Sequence, residues 1–237
     1  MKKIKTFLLF ICLFTLLMNN SKAQFIQSYG ITGGGTYATQ RWNYQDVHQT
    51  ETKLFHWGIN ASAFLEMGDY YSIRWISEIQ YNRKGCKEEF PLQVIKNNEI
   101  TYFSWNNYAK FRHEYENITP YFVIGGRLEY KFSVINGGFN DVSDTPRVTM
   151  NSMAVIHACV SGGPGIEFFI HSTISPFLEA QYFSDLPLPY FEAYANKNLQ
   201  DLHIRNHGIE LRIGFKFHFT FSNGDKCPPV YVSPGAF

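Results

Sequence analysis

The run from His203 to Phe221 constrains the fold more than any other part of the chain. Its odd positions are Ile209, Leu211, Ile213, Phe215, Phe217, Phe219 and Phe221, and the even positions between them are Glu210, Arg212, Gly214, Lys216, His218 and Thr220. A two-residue alternation puts one set on each face of a β-strand. One face is therefore apolar and increasingly aromatic, and the other carries charges of both signs. Strands of soluble proteins average about 5–6 residues, so so long and one-sided a run fits them poorly. A strand crossing a bilayer needs roughly 9–11 residues, apolar towards lipid and polar towards the lumen of a closed barrel. This run meets that requirement.

The amino terminus sets an address. Met1-Lys2-Lys3-Ile4-Lys5 is basic, Phe7 to Met18 is a 12-residue apolar core, and Ser21-Lys22-Ala23 places small residues where a signal peptidase cuts. The pattern predicts a cleaved signal peptide over 1–23 and a mature chain from Gln24. Twelve apolar residues are too few to cross about 30 Å of hydrocarbon as a helix. No later stretch has 18 consecutive apolar residues, which argues against helical membrane spans. The chain has 21 basic and 20 acidic residues; without Lys2, Lys3, Lys5 and Lys22 it keeps 17 against 20. No basic excess is left to attract nucleic acid. Cys86, Cys159 and Cys227 make an odd mature count, which speaks against a disulfide framework. Their spacing, like that of the histidines, fits no zinc motif, so no metal or cofactor is expected.

Seven earlier segments repeat the alternation: Ser28–Tyr37, Phe55–Leu65, Tyr71–Tyr81, Thr101–Tyr115, Tyr121–Phe132, Met153–Phe169 and Pro176–Phe183. Gly30 to Gly35 in the first resembles a phosphate loop but lacks the Gly-Lys-Ser/Thr ending. Gly68-Asp69 predicts a tight turn, and Gly162-Gly163-Pro164-Gly165 predicts a bend or bulge in the sixth strand. Phe177 interrupts the alternation of the seventh by falling on its polar face. The links near 67–70, 116–119 and 171–175 are short, whereas 38–53, 85–100, 133–151 and 184–202 are roughly 15–20 residues each. Short periplasmic turns and long extracellular loops are the mark of an outer-membrane barrel. The reading is all-β: an eight-stranded antiparallel up-and-down transmembrane barrel over 24–221, with a periplasmic tail at 222–237. It sits in outer-membrane lipid, and Trp57, Trp75, Phe111, Leu128 and Ile213 face that lipid.

The chain also resembles the PorT-like small outer-membrane barrels of Bacteroidetes-type bacteria across residues 24–221. The resemblance rests on Ala23-Gln24, the glycine-rich segment Tyr29–Tyr37 and Tyr81-Asn82-Arg83-Lys84-Gly85. It rests further on Pro120-Tyr121-Phe122-Val123-Ile124-Gly125-Gly126 and on Gly214-Phe215-Lys216-Phe217-His218-Phe219. It implies insertion by the barrel-assembly machinery, and the family includes accessories of protein-secretion machines. The tail Ser222–Phe237, with Cys227-Pro228-Pro229, departs from barrels that stop at their last aromatic strand.

The polar faces gather Glu66, Glu78, Glu129, Glu167, Glu179 and Glu210 with Arg74, Lys110, Arg112, Arg127, Arg212 and Lys216. Eight strands leave an interior just wide enough for side chains to fill. Six charges of each sign are therefore expected to pair as a plug, the alternative being a narrow pore. A hydrolase would need a nucleophile beside a base. His157 and Ser161, both on the sixth strand's polar face, stand roughly 13 Å apart along it, so enzymatic function is not expected. Leu186, Leu188, Tyr190, Phe191 and Tyr194 crowd one outer loop. Aromatic residues at that density mark either a protein contact surface, through Tyr190, Phe191 and Tyr194, or a cap on the barrel mouth.

Overall fold

The computed structural model describes residues 26–44, 49–68, 73–89, 95–115, 117–136, 155–170, 173–187 and 202–219. Nine strands follow one another: β1 (Ile26–Tyr44), β2 (Gln49–Thr52), β3 (Leu54–Met67), β4 (Ile73–Glu89), β5 (Ile95–Arg112), β6 (Ile118–Asn136), β7 (Ile156–Phe168), β8 (Ile174–Asp185) and β9 (Leu202–His218). β2 and β3 both pair with β1 and are parted only by Lys53, whose amide donates to the Gln40 carbonyl at 3.0 Å. They form one stave, so the barrel has eight. Each stave pairs antiparallel with the next, and β1 closes on β9 from Ser28↔His218 to Tyr44↔Leu202. Closure leaves no main wall with an unpaired edge.

The polarity of this wall is inverted relative to a soluble barrel. Trp57, Trp75, Phe111, Leu128 and Ile213 are exposed on the outside, together with Ile31, Ile59, Ile79, Ile124, Val160, Leu178 and Leu211. Towards the short-turn end Tyr29 lies against Phe217 and Phe219, with ring centroids 5.3 and 5.1 Å away. Towards the other end Tyr37 stacks on Phe55 at 4.5 Å and Phe103 packs edge-on to Tyr81 and Phe132. These are the two aromatic girdles expected where lipid meets water. Even within the apolar band a polar group is satisfied: Trp105 Nε1 donates to Ser77 Oγ at 3.0 Å.

The short turns fall where the sequence places them. Gly68 takes φ of +120° after β3, a conformation other residues rarely adopt. The β5–β6 turn is closed by Tyr115 N–H donating to the Ile118 carbonyl at 2.9 Å. The long links differ from expectation. Much of 38–53 and 85–100 is strand, because β1, β4 and β5 run on to Tyr44, Glu89 and Ile95. Here the outward positions turn polar, as in the Arg83–Glu99 ion pair at 3.4 Å, so the alternation that marks a lipid-facing strand disappears while the ladder continues. Cys86, expected in a loop, is consequently a buried lumen residue, its thiol donating to Gln40 Oε1 at 3.2 Å. At Gly162–Gly165, where a bend or bulge is expected, the register shows no bulge, but the pairing with β8 is interrupted at Gly163 and Pro164. β7 pairs with β8 as Gly162↔Tyr182 and Gly165↔Glu179 with no shift between them. Pro164 has no N–H to offer the ladder, and β7 keeps its pairing with β6 through this point as Phe122↔Pro164 and Val123↔Gly163. Residues 1–23, 222–237 and Tyr190, Phe191 and Tyr194 lie outside the described residues.

Candidate functional site in the barrel lumen

The same alternation that turns isoleucine and tryptophan outward turns the charged residues inward. Glu66 of β3, Arg74 and Glu78 of β4, Lys110 and Arg112 of β5, and Arg127 and Glu129 of β6 are all buried. So are Glu167 of β7, Glu179 of β8, and Glu210, Arg212 and Lys216 of β9. Lys84 and Asp185 are buried with them, so the described lumen holds seven acidic and seven basic side chains. Moving an ion out of water costs several kcal/mol unless opposite charge and hydrogen bonds replace the solvent. The barrel meets that demand in successive layers.

Nearest the short turns, Glu66 accepts from Arg74 Nη1 at 2.5 Å and from Lys110 Nζ at 3.1 Å, with Lys216 at 3.6 Å and Arg112 at 3.9 Å. Glu167 is bonded to both Lys110 and Lys216. One step further in, Arg212 reaches Glu78 at 2.6 Å through Nη1 and Glu179 at 2.9 Å through Nε. The next layer is a two-pronged pair, Arg127 Nη1 and Nη2 donating to Glu210 Oε1 and Oε2 at 2.5 and 3.0 Å. This fork-to-carboxylate geometry is the strong form of such a pair. Glu210 also accepts from Gln80 and Asn82, at 3.1 and 2.6 Å. Towards the long-loop end Lys84 donates to Glu129 at 2.5 Å, both fully buried, and Asp185 accepts from the main-chain and side-chain nitrogens of Asn206.

An apolar stratum crosses the lumen between the lower charge layers: Phe64, Ile76, Tyr108, Tyr121, Val123 and Phe177 form one buried cluster. Phe64 and Phe177 meet edge-to-face with centroids 5.7 Å apart. Where these side chains abut Glu78, Lys110 and Arg212, the remaining cavity is about 20 Å³, room for about one water molecule.

A closed wall, apolar outside and charged inside, with staves mostly longer than the roughly 9–11 residues a bilayer requires, fits lipid and no aqueous setting. The chain is an outer-membrane β-barrel. Solved structures of similar outline include the outer membrane protein OprG of Pseudomonas aeruginosa, at 10% identity over 82% of this chain and 98% of that one, with a TM-score of 0.46. Neisserial surface protein A aligns at 13% identity over 81% and 97%, with a TM-score of 0.43. The outer membrane protease OmpT of Escherichia coli aligns at 9% identity over 84% and 98%, with a TM-score of 0.40. No protein-family model matches the sequence, and no curated protein matches it either.

The barrel assigns partners that spacing alone does not. Arg212 bonds Glu179 and Glu78, while Glu210, two residues before it on the same face, belongs to Arg127. Ser161 accepts from Arg127 Nε at 2.7 Å and lies 3.3 Å from the Tyr108 hydroxyl. Its oxygen is thus held between a guanidinium that donates to it and a phenol oxygen that accepts from it. His157 instead stands 3.8 Å from Asp185. Among the described residues no group of three or more His, Cys, Asp or Glu is arranged to hold a metal ion. Sequence reasoning misses Lys84 and Asp185 because both fall at the margins of recognisable alternation. It misses Phe64 and Tyr121 because they sit on faces that otherwise read as polar.

Proposed function

We propose that this outer-membrane barrel is a non-conducting, non-enzymatic scaffold that works as a structural or interaction protein through its outer loops. The observation that supports the reading is the filled lumen: among the described residues charges pair at four levels, and an aromatic stratum lies among them with a cavity of only about 20 Å³ beside it. A pore needs hydrated walls wide enough for ions to pass between sites, and these side chains are spent on one another. The pairing of Ser161 with Arg127 supports the non-enzymatic part of the reading. With the interior occupied, a role falls to what the wall displays outside the membrane. The aromatic loop residues Tyr190, Phe191 and Tyr194 are the contact we propose for a protein partner.

The motifs shared with PorT-like barrels support a place in that group and insertion by the barrel-assembly machinery. Within it, service as an accessory of a secretion machine is the form of interaction role the resemblance favours. The test is photo-crosslinking in cells from Tyr190, Phe191 and Tyr194, each replaced by a photoreactive residue. The proposal expects a discrete partner band from these sites and none from Ile213 on the lipid face. Crosslinks to lipid alone from all four positions would contradict it.

A further inference from the structure

The outward positions between the two aromatic girdles are almost uniformly apolar. Among the described residues, Ser77 of β4 and Asn107 of β5 carry the two non-aromatic polar side chains there, and they are direct partners across the β4–β5 ladder. Ser77 Oγ accepts the Trp105 indole N–H at 3.0 Å, whereas Asn107 makes no side-chain hydrogen bond among the described residues. Its neighbours along the chain, Asn106 and Tyr108, are buried in the lumen, so the Asn107 carboxamide faces the lipid.

The depth of this amide is set by the rings above and below it on the same strand. Phe103 and Phe111, both exposed, lie opposite Tyr130 and Phe122 of β6 and mark the upper and lower edges of the lipid band. Asn107 is midway between them in sequence, roughly 13 Å along the strand from each, which puts it near the middle of the hydrocarbon. Water does not serve that depth, and a carboxamide there has two N–H donors and a carbonyl to satisfy.

The wall about Asn107 is low. Its ladder partner on β6 is Gly126, and Ala109 is the next outward residue of β5. A Cβ on Gly126 would meet nothing nearer than the Cys159 carbonyl at 4.0 Å, so packing within the barrel does not require glycine at this position. Ser77, Asn107, Ala109 and Gly126 form a shallow bed with an amide in its floor, bordered by the exposed side chains of Trp75, Ile79, Ile124 and Leu128.

We propose that a second copy of this barrel docks on this bed, in a two-fold dimer whose axis runs along the bilayer normal beside Asn107. Both copies insert in the same direction, so such an axis brings a residue to its own depth in the neighbouring copy. A mid-membrane amide then meets its own counterpart, and because a carboxamide both donates and accepts, the two satisfy each other. Small residues around a polar contact let two walls approach closely, as they do between membrane helices. Acyl chains offer neither donor nor acceptor, so lipid does not complete this patch. The bed lies on β4, β5 and β6 within the membrane, and the dimer is therefore independent of what the outer loops bind.

The test is energy transfer between donor- and acceptor-labelled copies of the full mature chain, refolded in phosphatidylcholine vesicles over a range of protein-to-lipid ratios. The proposal expects saturable transfer with a stoichiometry of two, reversed by added lipid. Asn107→Leu, which suits the lipid and leaves the lumen untouched, should weaken association at least tenfold. Gly126→Leu, which fills the bed without altering a polar group, should weaken it as well, and Leu211→Ala on the far wall should leave it unchanged. The heat-dependent gel shift checks that each variant is folded; if Gly126→Leu does not fold, Asn107→Leu carries the decision. Monomers at every ratio, or transfer equal in the wild type and Asn107→Leu, would overturn the proposal.

Discussion

Phe64 of β3 lies directly over Gly30 of β1, its pairing partner across the ladder, and a Cβ placed on Gly30 would fall 2.4 Å from the ring's Cζ and 2.5 Å from the Phe215 carbonyl. The same relationship recurs between Phe177 and Gly214 across β8–β9, and between Tyr121 and Gly165 across β6–β7. A glycine leaves a strand without side-chain packing and its backbone open. An aromatic ring folded onto it from the neighbouring strand covers that backbone and fills the lumen at once. The aromatic stratum of the plug is thus built from glycine–aromatic pairs.

Gly30→Ala should force the Phe64 ring from its seat and cost about 1–3 kcal/mol, the usual range for overpacking. Gly33→Ala, whose Cβ would meet nothing nearer than the Asn60 carbonyl at 4.0 Å, should cost far less. Urea unfolding of the micelle-bound barrel measures both. Phe64→Ala should cost about 3–5 kcal/mol. Adding Gly30→Ala to it should then cost less than Gly30→Ala does alone, because the ring is gone and only the Phe215 carbonyl, 2.5 Å from the added Cβ, still resists it. Strict additivity in that cycle would refute the pairing.

Arg127→Leu should be among the most damaging lumen substitutions, at about 3–5 kcal/mol, because Glu210 would stay buried with only Gln80 and Asn82 as donors. Arg127→Leu with Glu210→Leu should recover most of that loss. The comparison is read from unfolding midpoints, and a double variant no more stable than the single one would contradict the assignment of this pair.

On the outer wall an added charge meets lipid and finds no partner. Ile213→Arg places a charge in the lipid band and should cost roughly 2–4 kcal/mol if its depth is near the midplane. Arg41→Ala, on an exposed position of β1 beyond the apolar band, should stay within about 0.5 kcal/mol. Refolding into bilayers of graded thickness, followed by the heat-dependent gel shift typical of folded barrels, distinguishes the two.

Much of this architecture is legible in the sequence because lipid and lumen impose opposite chemistry on successive residues. Wherever both are present, as from Ile209 to Phe217, the face of every side chain can be read directly. Above the lipid that contrast vanishes, so the extended hairpin of β4 and β5 around Arg83 and Glu99 reads as loop. Pairing inside the lumen is illegible for another reason. Glu210 meets Arg127 across 83 residues of sequence, and which charges share a level depends on the stagger of all eight staves. The alternation places a residue on a face but not at a height. The Phe64 seat leaves only an indirect signal, an aromatic residue on a polar face that finds its glycine once the register is known.

The central claim is that the lumen is closed, and planar-bilayer recording of the purified wild-type barrel tests it most directly. With the four charge levels paired and the aromatic stratum intact, the account predicts insertion without steady conductance across the accessible voltage range. A stable ohmic current that scales with the number of inserted barrels would contradict it.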